Sequence, residues 1–380
     1  MLRRRTGCQG SRPAGSVRLP SETPCGYDGI ITMSPILVTA TRPSLDAAGL
    51  GELGRLWQGF QDAAEASAFQ RWAWVGCLAA ERYPDPVLVQ AHRGEVLAGL
   101  ALFNRRGGRL WLHEGGDPVL DSVFIEHNGP LVLPDPGRGA VLDAMLRQAR
   151  RGRQVVLSGV DGAVVASADR VGEMHGRQDR VAPCVSFGAI PAGTDYLAGL
   201  SANTRHQLRR SARAYGDLAL DRASTEPQAL RYLEGLIALH QASWQARGKP
   251  GAFAAPEVRR FHQAMVGRGV ATGAVDLLRV RAGEAVVGYL YNLRGAGRVC
   301  AYQSGFDYAA APRHGKPGLT CHHLAIESAR TDGAACYDFL GGADRYKESL
   351  ANARQTLHWL RMASPWHPRV WLGRLHGMLK

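Results

Sequence analysis

Apolar residues recur at helical spacing over 44–61, where Leu45, Leu50, Leu53, Leu56, Trp57 and Phe60 share one broad face. The helical period returns over 70–82 with Trp72, Trp74, Val75 and Leu78. The pattern then shortens to runs that suit strands, at 87–89, 96–103, 109–113 and 123–125. An earlier apolar run, 29–40, reads as a further strand. Helix is predicted again over 137–151 and strand over 155–158. After a turn-rich stretch at 183–193, a helix is predicted over 195–215, with Ser201 or Asn203 as its cap. A long helix follows over 225–246, capped by Thr225 and opened by Glu226-Pro227, and a shorter one over 256–267. Strands are predicted at 275–281, 285–293 and 298–306. A Gly/Pro loop at 312–318 then feeds a helix to about residue 331, with strands at 336–340 and 356–362 closing the pattern.

The two halves overlay with a constant shift of 189 residues. Gly94-Glu95 meets Gly283-Glu284, Gly99 meets Gly288, Arg105 meets Arg294, Gly108-Arg109 meets Gly297-Arg298, and Gly116 meets Gly305. That is seven identities in 23 ungapped positions, with the Gly-Glu and Gly-Arg pairs where hairpin turns belong. Both halves then run loop, helix, strand. A duplicated α+β domain follows, with each copy a mixed, mostly antiparallel sheet flanked by helices. The expected division is a disordered leader at 1–33, a first domain at 34–185, a second at 186–363 and a basic amphipathic tail at 364–380.

The chain has 380 residues and is 45% hydrophobic, enough for a large core and against wholesale disorder. No run of about 18 apolar residues occurs, so no membrane-spanning helix is expected. The charge is +13, which suits a polyanionic partner such as a phosphorylated donor, an acidic carrier protein, RNA or an anionic membrane surface. A solvated basic surface explains the same number. Seven cysteines without a C-x-x-C argue against a disulfide framework and fit a reducing, cytoplasmic setting. Cys321, His322, His323 and Cys336 match no standard ligand spacing, so no metal is expected. The tail sets Trp366, Val370, Trp371 and Leu375 beside Arg369 and Arg374, and either docks on its own domain or rests on a membrane.

The loop over 312–318 carries Arg313, Gly315, Lys316 and Gly318 directly before a helix. Glycine-rich backbone at a helix N-terminus leaves N–H groups unpaired at a positive dipole end, and Arg313 and Lys316 add full charges. This suits phosphate, as it would suit an ordinary basic connection. Lys316 is followed by Pro317, so it is no Walker loop. Arg205, His206, Arg209, Arg210 and Arg213 form a basic cluster in which Arg205 and Arg209 share a helix face. That face either receives a phosphate-bearing donor or carrier helix, or is simply solvated.

Several motifs together carry a resemblance. They are Asn203-x-Arg205 with Arg209-Arg210, His240-x-x-x-Trp244-x-x-Arg247, Tyr302-x-x-Gly305-x-Asp307, Pro317-Gly318, and Asp338-Phe339-Leu340-Gly341-Gly342-x-Asp344-x-Tyr346-Lys347. In this order, after helix, helix and three-stranded meander, they resemble the BioF2-like acetyltransferase group of the GNAT superfamily. That group includes CelD-like proteins of cellulose biosynthesis and is related to the FemAB peptidyltransferases. The resemblance covers roughly residues 35–362 and implies tandem GNAT-like halves. It further implies acyl transfer to an amine or hydroxyl, with the donor thioester between strands 298–306 and 336–340 and its pyrophosphate at the following helix start. The loop departs from the usual Gln/Arg-x-x-Gly-x-Gly/Ala, which argues against ordinary acetyl-CoA and leaves longer acyl-CoA, an acyl carrier protein or aminoacyl-tRNA as donors.

Within that frame, Tyr302 is a general acid or a packing residue, and Asp338 and Asp344 hold the acceptor or cap the turn, capping being preferred for Asp344. Tyr346 and Lys347 close the motif, and Lys347 contacts the acyl or phosphate group or is solvated. His240 faces the acceptor or is structural. The expected donor residues are Arg313, Gly315, Lys316, Gly318, Arg205 and Arg209. No permanently bound cofactor is expected; acyl-CoA or an acyl carrier is a co-substrate. The first copy, lacking an Asp-Phe…Tyr-Lys equivalent, is expected to be non-catalytic and to form one wall of the cleft. The resulting expectation is an acyltransferase acting on a cell-envelope lipid or polysaccharide precursor. The alternatives are a non-catalytic accessory factor in exopolysaccharide production and an aminoacyl-tRNA-dependent peptidyltransferase. Peripheral contact with the inner membrane and an acyl carrier partner accompany this reading, and no nucleic acid does except tRNA in the last alternative.

Overall fold

A computed structural model describes residues 35–364, apart from 123, 124, 135 and 343. The expected leader, the tail beyond Ser364 and most of the strand expected at 123–125 lie outside the described residues.

The duplication is built at the shift read from the sequence. Strands β2 (Pro86–Arg93), β3 (Val96–Arg106) and β4 (Arg109–Leu112) correspond to β9 (Val275–Ala282), β10 (Ala285–Gly295) and β11 (Arg298–Phe306). The hairpin glycines sit at positive φ in both copies, Gly94 at 60° with Gly283 at 58°, and Gly108 at 73° with Gly297 at 68°. Even a bulge repeats: the β2–β3 register skips Ala98 and the β9–β10 register skips Val287.

The halves do not keep separate sheets. The first half supplies β1 (Ile36–Thr41), β5 (Leu131–Val132), β6 (Gln154–Val160) and β7 (Glu173–Ser186). The second supplies β8 (Leu218–Arg222), β12 (Cys336–Asp338) and β13 (Ala353–Ala363). One continuous sheet runs β1-β2-β3-β4-β6-β13-β7-β12-β11-β10-β9-β8, with β5 pairing β3. Thus β7, from the first half, pairs antiparallel with β12, and β13, from the second, pairs antiparallel with β6. The two exchanged strands pair with each other at the centre of the sheet. Each half therefore completes the other.

Helices cover the faces: α1 (Ala47–Gln61), α2 (Trp72–Arg82), α3 (Arg138–Ala149), α4 (Gly162–Val171), α5 (Ala202–Tyr215), α6 (Glu226–Gln245), α7 (Pro256–Gly269), α8 (Pro317–Thr331) and the short α9 (Arg345–Leu350). Thr225 caps α6 through Gln228 N, with Pro227 in the first turn. The single helix expected over 195–215 is in fact a 3-10 turn, Tyr196–Gly199, followed by α5. Ser201 is its cap, accepting from Thr204 N, rather than Asn203. The stretch 183–193 is not all turn, since β7 runs through it to Ser186. One apolar core joins Trp57, Phe69 and Trp74 of the first half to Phe261, Tyr291 and Tyr302 of the second, so burial, like strand pairing, binds the copies together.

Candidate functional site

Parallel strands β11 and β12 pair over only three residues, Arg298–Cys300 against Cys336–Asp338. Beyond Cys300, β11 continues along β10 to Phe306, while the other chain leaves the sheet as the loop Phe339–Gly342 and enters α9. The register of β11 slips at Tyr302, which bulges. The parting strands open a cleft of about 520 Å³. Its walls include the β11 stretch Ala301–Phe306, His240, Trp244 and Arg247 of α6, His322 of α8, and Tyr346 and Lys347 of α9. Among the described residues no strand pairs the β12-facing edge of β11 past Cys300, an edge whose backbone N–H groups could face an oxyanion.

Lys347 organises the loop. Its Nζ donates to Gly341 O at 3.0 Å and Leu340 O at 3.4 Å, with Asp344 at 3.6 Å. Tyr346 stacks on His322 with ring centroids 5.3 Å apart. Burial pushes the Tyr346 phenol up and pulls His322 down to about 3, so the ring pair is neutral near pH 7.

Asp338 lies behind the floor instead of on the wall. Its carboxylate is wholly buried and accepts from Arg298 Nη1 at 2.6 Å, from Leu340 N at 2.7 Å, and pairs with His127 Nε2 at 3.0 Å. Burial opposes the charge, but His127, Arg298 and Leu340 N together hold its pKa below the ordinary carboxylate range. The turn cap expected of Asp344 is thus performed by Asp338; Asp344 sits at the start of α9 without a side-chain capping bond. Arg298 also reaches Cys336 Sγ at 3.3 Å. Cys184, Cys336 and Asp338 approach one another closely enough for shared ligation, but this guanidinium already supplies their cation.

His240 has both ring nitrogens engaged. Ala252 N donates to Nε2 at 3.1 Å, which leaves the proton on Nδ1 to donate to Ser304 O at 3.0 Å. It pins α6 and the following loop to β11, a positioning role. Tyr302 touches the cleft, but its ring packs among Phe69, Trp74, His262 and Tyr291, and burial pushes its phenol pKa up. That environment disfavours proton transfer by its hydroxyl near pH 7.

None of the expected donor residues lines the cleft; the loop meets its edge at Gly318, where a Cβ would lie 3.3 Å from Phe306 Cε2. Lys316 Nζ donates to Gln207 Oε1 at 2.7 Å, Arg210 donates to His314 Nε2 at 2.7 Å, and Lys316 N donates to Ser211 Oγ at 2.8 Å. The basic face of α5 and the loop with Arg313, Gly315 and Gly318 therefore form one surface. Gly315 is close-packed, since a Cβ there would lie 2.8 Å from Pro312 Cδ. Arg205 differs: its guanidinium donates to the carbonyls of Ala198 and Leu200, closing the turn before α5. Arg209, one turn on, remains on the basic face.

The first half also lines the cleft, through Glu126, a residue that the sequence pattern does not single out. In the first half the strand equivalent to β11 stops at Leu112, and the chain after it turns back across β6. Asn128 N donates to Gly159 O at 2.9 Å and Asn128 bridges Val160. His113 and Glu114 are buried here, His113 bonding Asn128 at 2.7 Å. The first half thus fills its own strand gap and presents Glu126 and His127 to the other. Gly341 N donates to Glu126 Oε2 at 2.7 Å and Oε1 at 2.9 Å. No local motif marks these residues.

A mixed sheet in which a parallel pair of strands parts beside a helix start is the arrangement of the GNAT fold. Residues 202–348 match the family described as Acetyltransferase (GNAT) domain. FemX is similar in structure, with 10% identity, a TM-score of 0.59, and coverage of 85% of this chain and 98% of that one. So are two others. The C-terminal domain (DUF2156) of a putative lysylphosphatidylglycerol synthetase from Agrobacterium fabrum has 13% identity, a TM-score of 0.54, and coverage of 85% and 95%. L-PGS from Bacillus licheniformis has 13% identity, a TM-score of 0.52, and coverage of 88% and 98%. At these identities the likeness is one of fold. No curated protein matches the sequence.

Proposed function

We propose that the cleft between β11 and β12 is an acyl-transfer site. An activated acyl donor lies between the parting strands, and its acyl group passes to an amine or hydroxyl of a cell-envelope lipid or polysaccharide precursor. The observation that carries this reading is the opening itself. It pairs an unoccupied strand edge, able to hold a developing oxyanion, with a basic surface of α5 and the α8 start, able to hold a donor's phosphates. Positioning and oxyanion stabilisation supply the rate, and no covalent intermediate is needed. The donor is a co-substrate, acyl-CoA or an acyl carrier protein. One of the similar structures is named as a domain of a putative lysylphosphatidylglycerol synthetase, which supports a lipid acceptor and places aminoacyl-tRNA second among donors.

The test is a thermal-shift and native mass-spectrometry panel of CoA, acetyl-CoA, palmitoyl-CoA, acyl carrier protein and charged tRNA. A donor that binds only the folded state stabilises it by about 2.7 kcal/mol at a hundredfold excess over Kd. The expected outcome is a shift with one class of donor, lost in an Arg313→Ala/Lys316→Ala variant. A panel without any shift overturns the assignment and leaves a non-catalytic accessory role.

A further inference from the structure

We infer that Glu126, delivered from the first half of the chain, is the proton acceptor of the acyl-transfer cleft in the second. The inference rests on the acyl-transfer reading above and adds the residue that activates the acceptor.

The geometry is specific. Glu126 lines the cleft, yet the residue is only 1% exposed. Among the described residues its carboxylate has a single hydrogen-bond donor, Gly341 N. The basic side chains nearby are committed elsewhere: Arg298 and His127 bond Asp338, and Lys347 bonds the carbonyls of Leu340 and Gly341. A buried carboxylate kept for structure alone is normally paired. This one keeps lone pairs unused in a cavity.

The backbone is bent to put it there. His127 at φ 49° and Leu340 at φ 60° are both non-glycine residues in the left-handed region, and they flank the two ends of the Glu126–Gly341 contact. Such conformations cost about 1–3 kcal/mol and persist where the surroundings enforce them. Gly159 makes the approach possible, since a Cβ there would lie 2.3 Å from Ile125 O and 2.7 Å from Glu126 Cα.

The charged and titratable groups facing Glu126 are His127 on its own segment, Asp338 of β12, Cys300 of β11 and Lys347 of α9. Burial raises its pKa most, Asp338 raises it further, and Gly341 N, His127 and Lys347 draw it back. A carboxylate raised in this way is a better base.

In the step, the lone pair of the acceptor nitrogen or oxygen forms a bond to the thioester carbonyl carbon, and the π pair moves onto the carbonyl oxygen. The acceptor's proton goes to Glu126 Oε. Collapse of the tetrahedral adduct re-forms the carbonyl and breaks the C–S bond. The thiolate leaves with that pair and takes the proton from Glu126, which returns to its starting state.

The experiment follows thiol release from acetyl-CoA, butyryl-CoA and palmitoyl-CoA, with ethanolamine as an acceptor that offers both an amine and a hydroxyl, across pH 4.5–9. Glu126→Gln keeps an oxygen for Gly341 N–H, so melting temperature and thioester KM are expected to stay close to wild type. Its kcat is expected to fall roughly 10²–10⁴-fold, with loss of the acid limb of the pH profile. Glu126→Asp is expected to restore part of the rate and the acid limb. A Glu126→Gln enzyme with kcat within threefold of wild type and the acid limb intact overturns the assignment while leaving acyl transfer standing. A wild-type protein that neither binds nor cleaves any of the thioesters overturns the acyl-transfer reading, and the role of Glu126 falls with it.

Discussion

Asp338 and Asp344 stand six residues apart and meet opposite environments. Asp338 is enclosed with Arg298, whereas the Asp344 side chain is 63% exposed beside Lys347. Removing one member of a buried pair strands the other charge, so Asp338→Ala is expected to lose about 3–5 kcal/mol in urea unfolding. Asp344→Ala is expected to change stability by less than about 1 kcal/mol. A second residue-scale prediction concerns His262, fully buried among Phe253, Phe261, Tyr291 and Tyr302, with its pKa drawn down by burial to about 3. The unfolded chain takes up this proton near pH 6.5 and the folded one does not. The contribution is therefore complete above pH 6.5 and is lost as pH falls toward 3. Between pH 6.5 and 5 the loss amounts to about 2 kcal/mol. His262→Phe should lose correspondingly less stability over that interval, as urea unfolding at the two pH values will show. At this scale the sequence was half informative. The Asp-Phe…Tyr-Lys motif does mark the cleft, because its residues are neighbours along the chain. Glu126 was invisible, because Gly341, its partner, is 215 residues away.

Elements meet closely at a glycine beside the cleft. On β11, a Cβ at Gly305 would lie 2.3 Å from Leu236 O of α6. Backbone cannot give way as a side chain can, so Gly305→Ala is expected to cost about 1–3 kcal/mol and to shift α6, and with it His240 and Trp244, away from the cleft. A crystal structure or a chemical denaturation curve of the variant checks this. Hairpins such as β2–β3 and β9–β10 were legible because turn glycines and alternating apolar positions are local signals. Strand β7 was not. From Glu173 to Val181 it is largely solvent-exposed and rich in charge, so it lacks the apolar alternation that announces a strand. Its place is set by β13 and β12, which arrive more than 150 residues later. Helix α9, with six residues, is too short to show a period.

For the whole molecule, the exchange of β7 and β13 makes the halves interdependent. A protein cut in the loop between β7 and α5 yields two fragments, each with a strand that pairs mainly with the other. Neither is expected to unfold cooperatively alone, while the two together should restore a sigmoidal transition and donor binding; circular dichroism of the separate and mixed fragments decides it. Independent folding of either fragment would show that the central pairing is dispensable. Net charge and composition had no bearing on this arrangement. The repeat revealed the two copies, but which strand each copy lends lies in contacts that no periodicity encodes.

The central position of β13 also sets a schedule for synthesis. On the ribosome, β6 emerges with one edge bare and must wait some 200 residues for the strand that covers it. The nascent first half therefore carries an open, sticky edge through most of translation, a period in which chaperones have reason to attend it. Because the segment bearing Glu126 lies against β6, the cleft is assembled only when the last strand slides home, so that an incompletely translated chain is also an unarmed one.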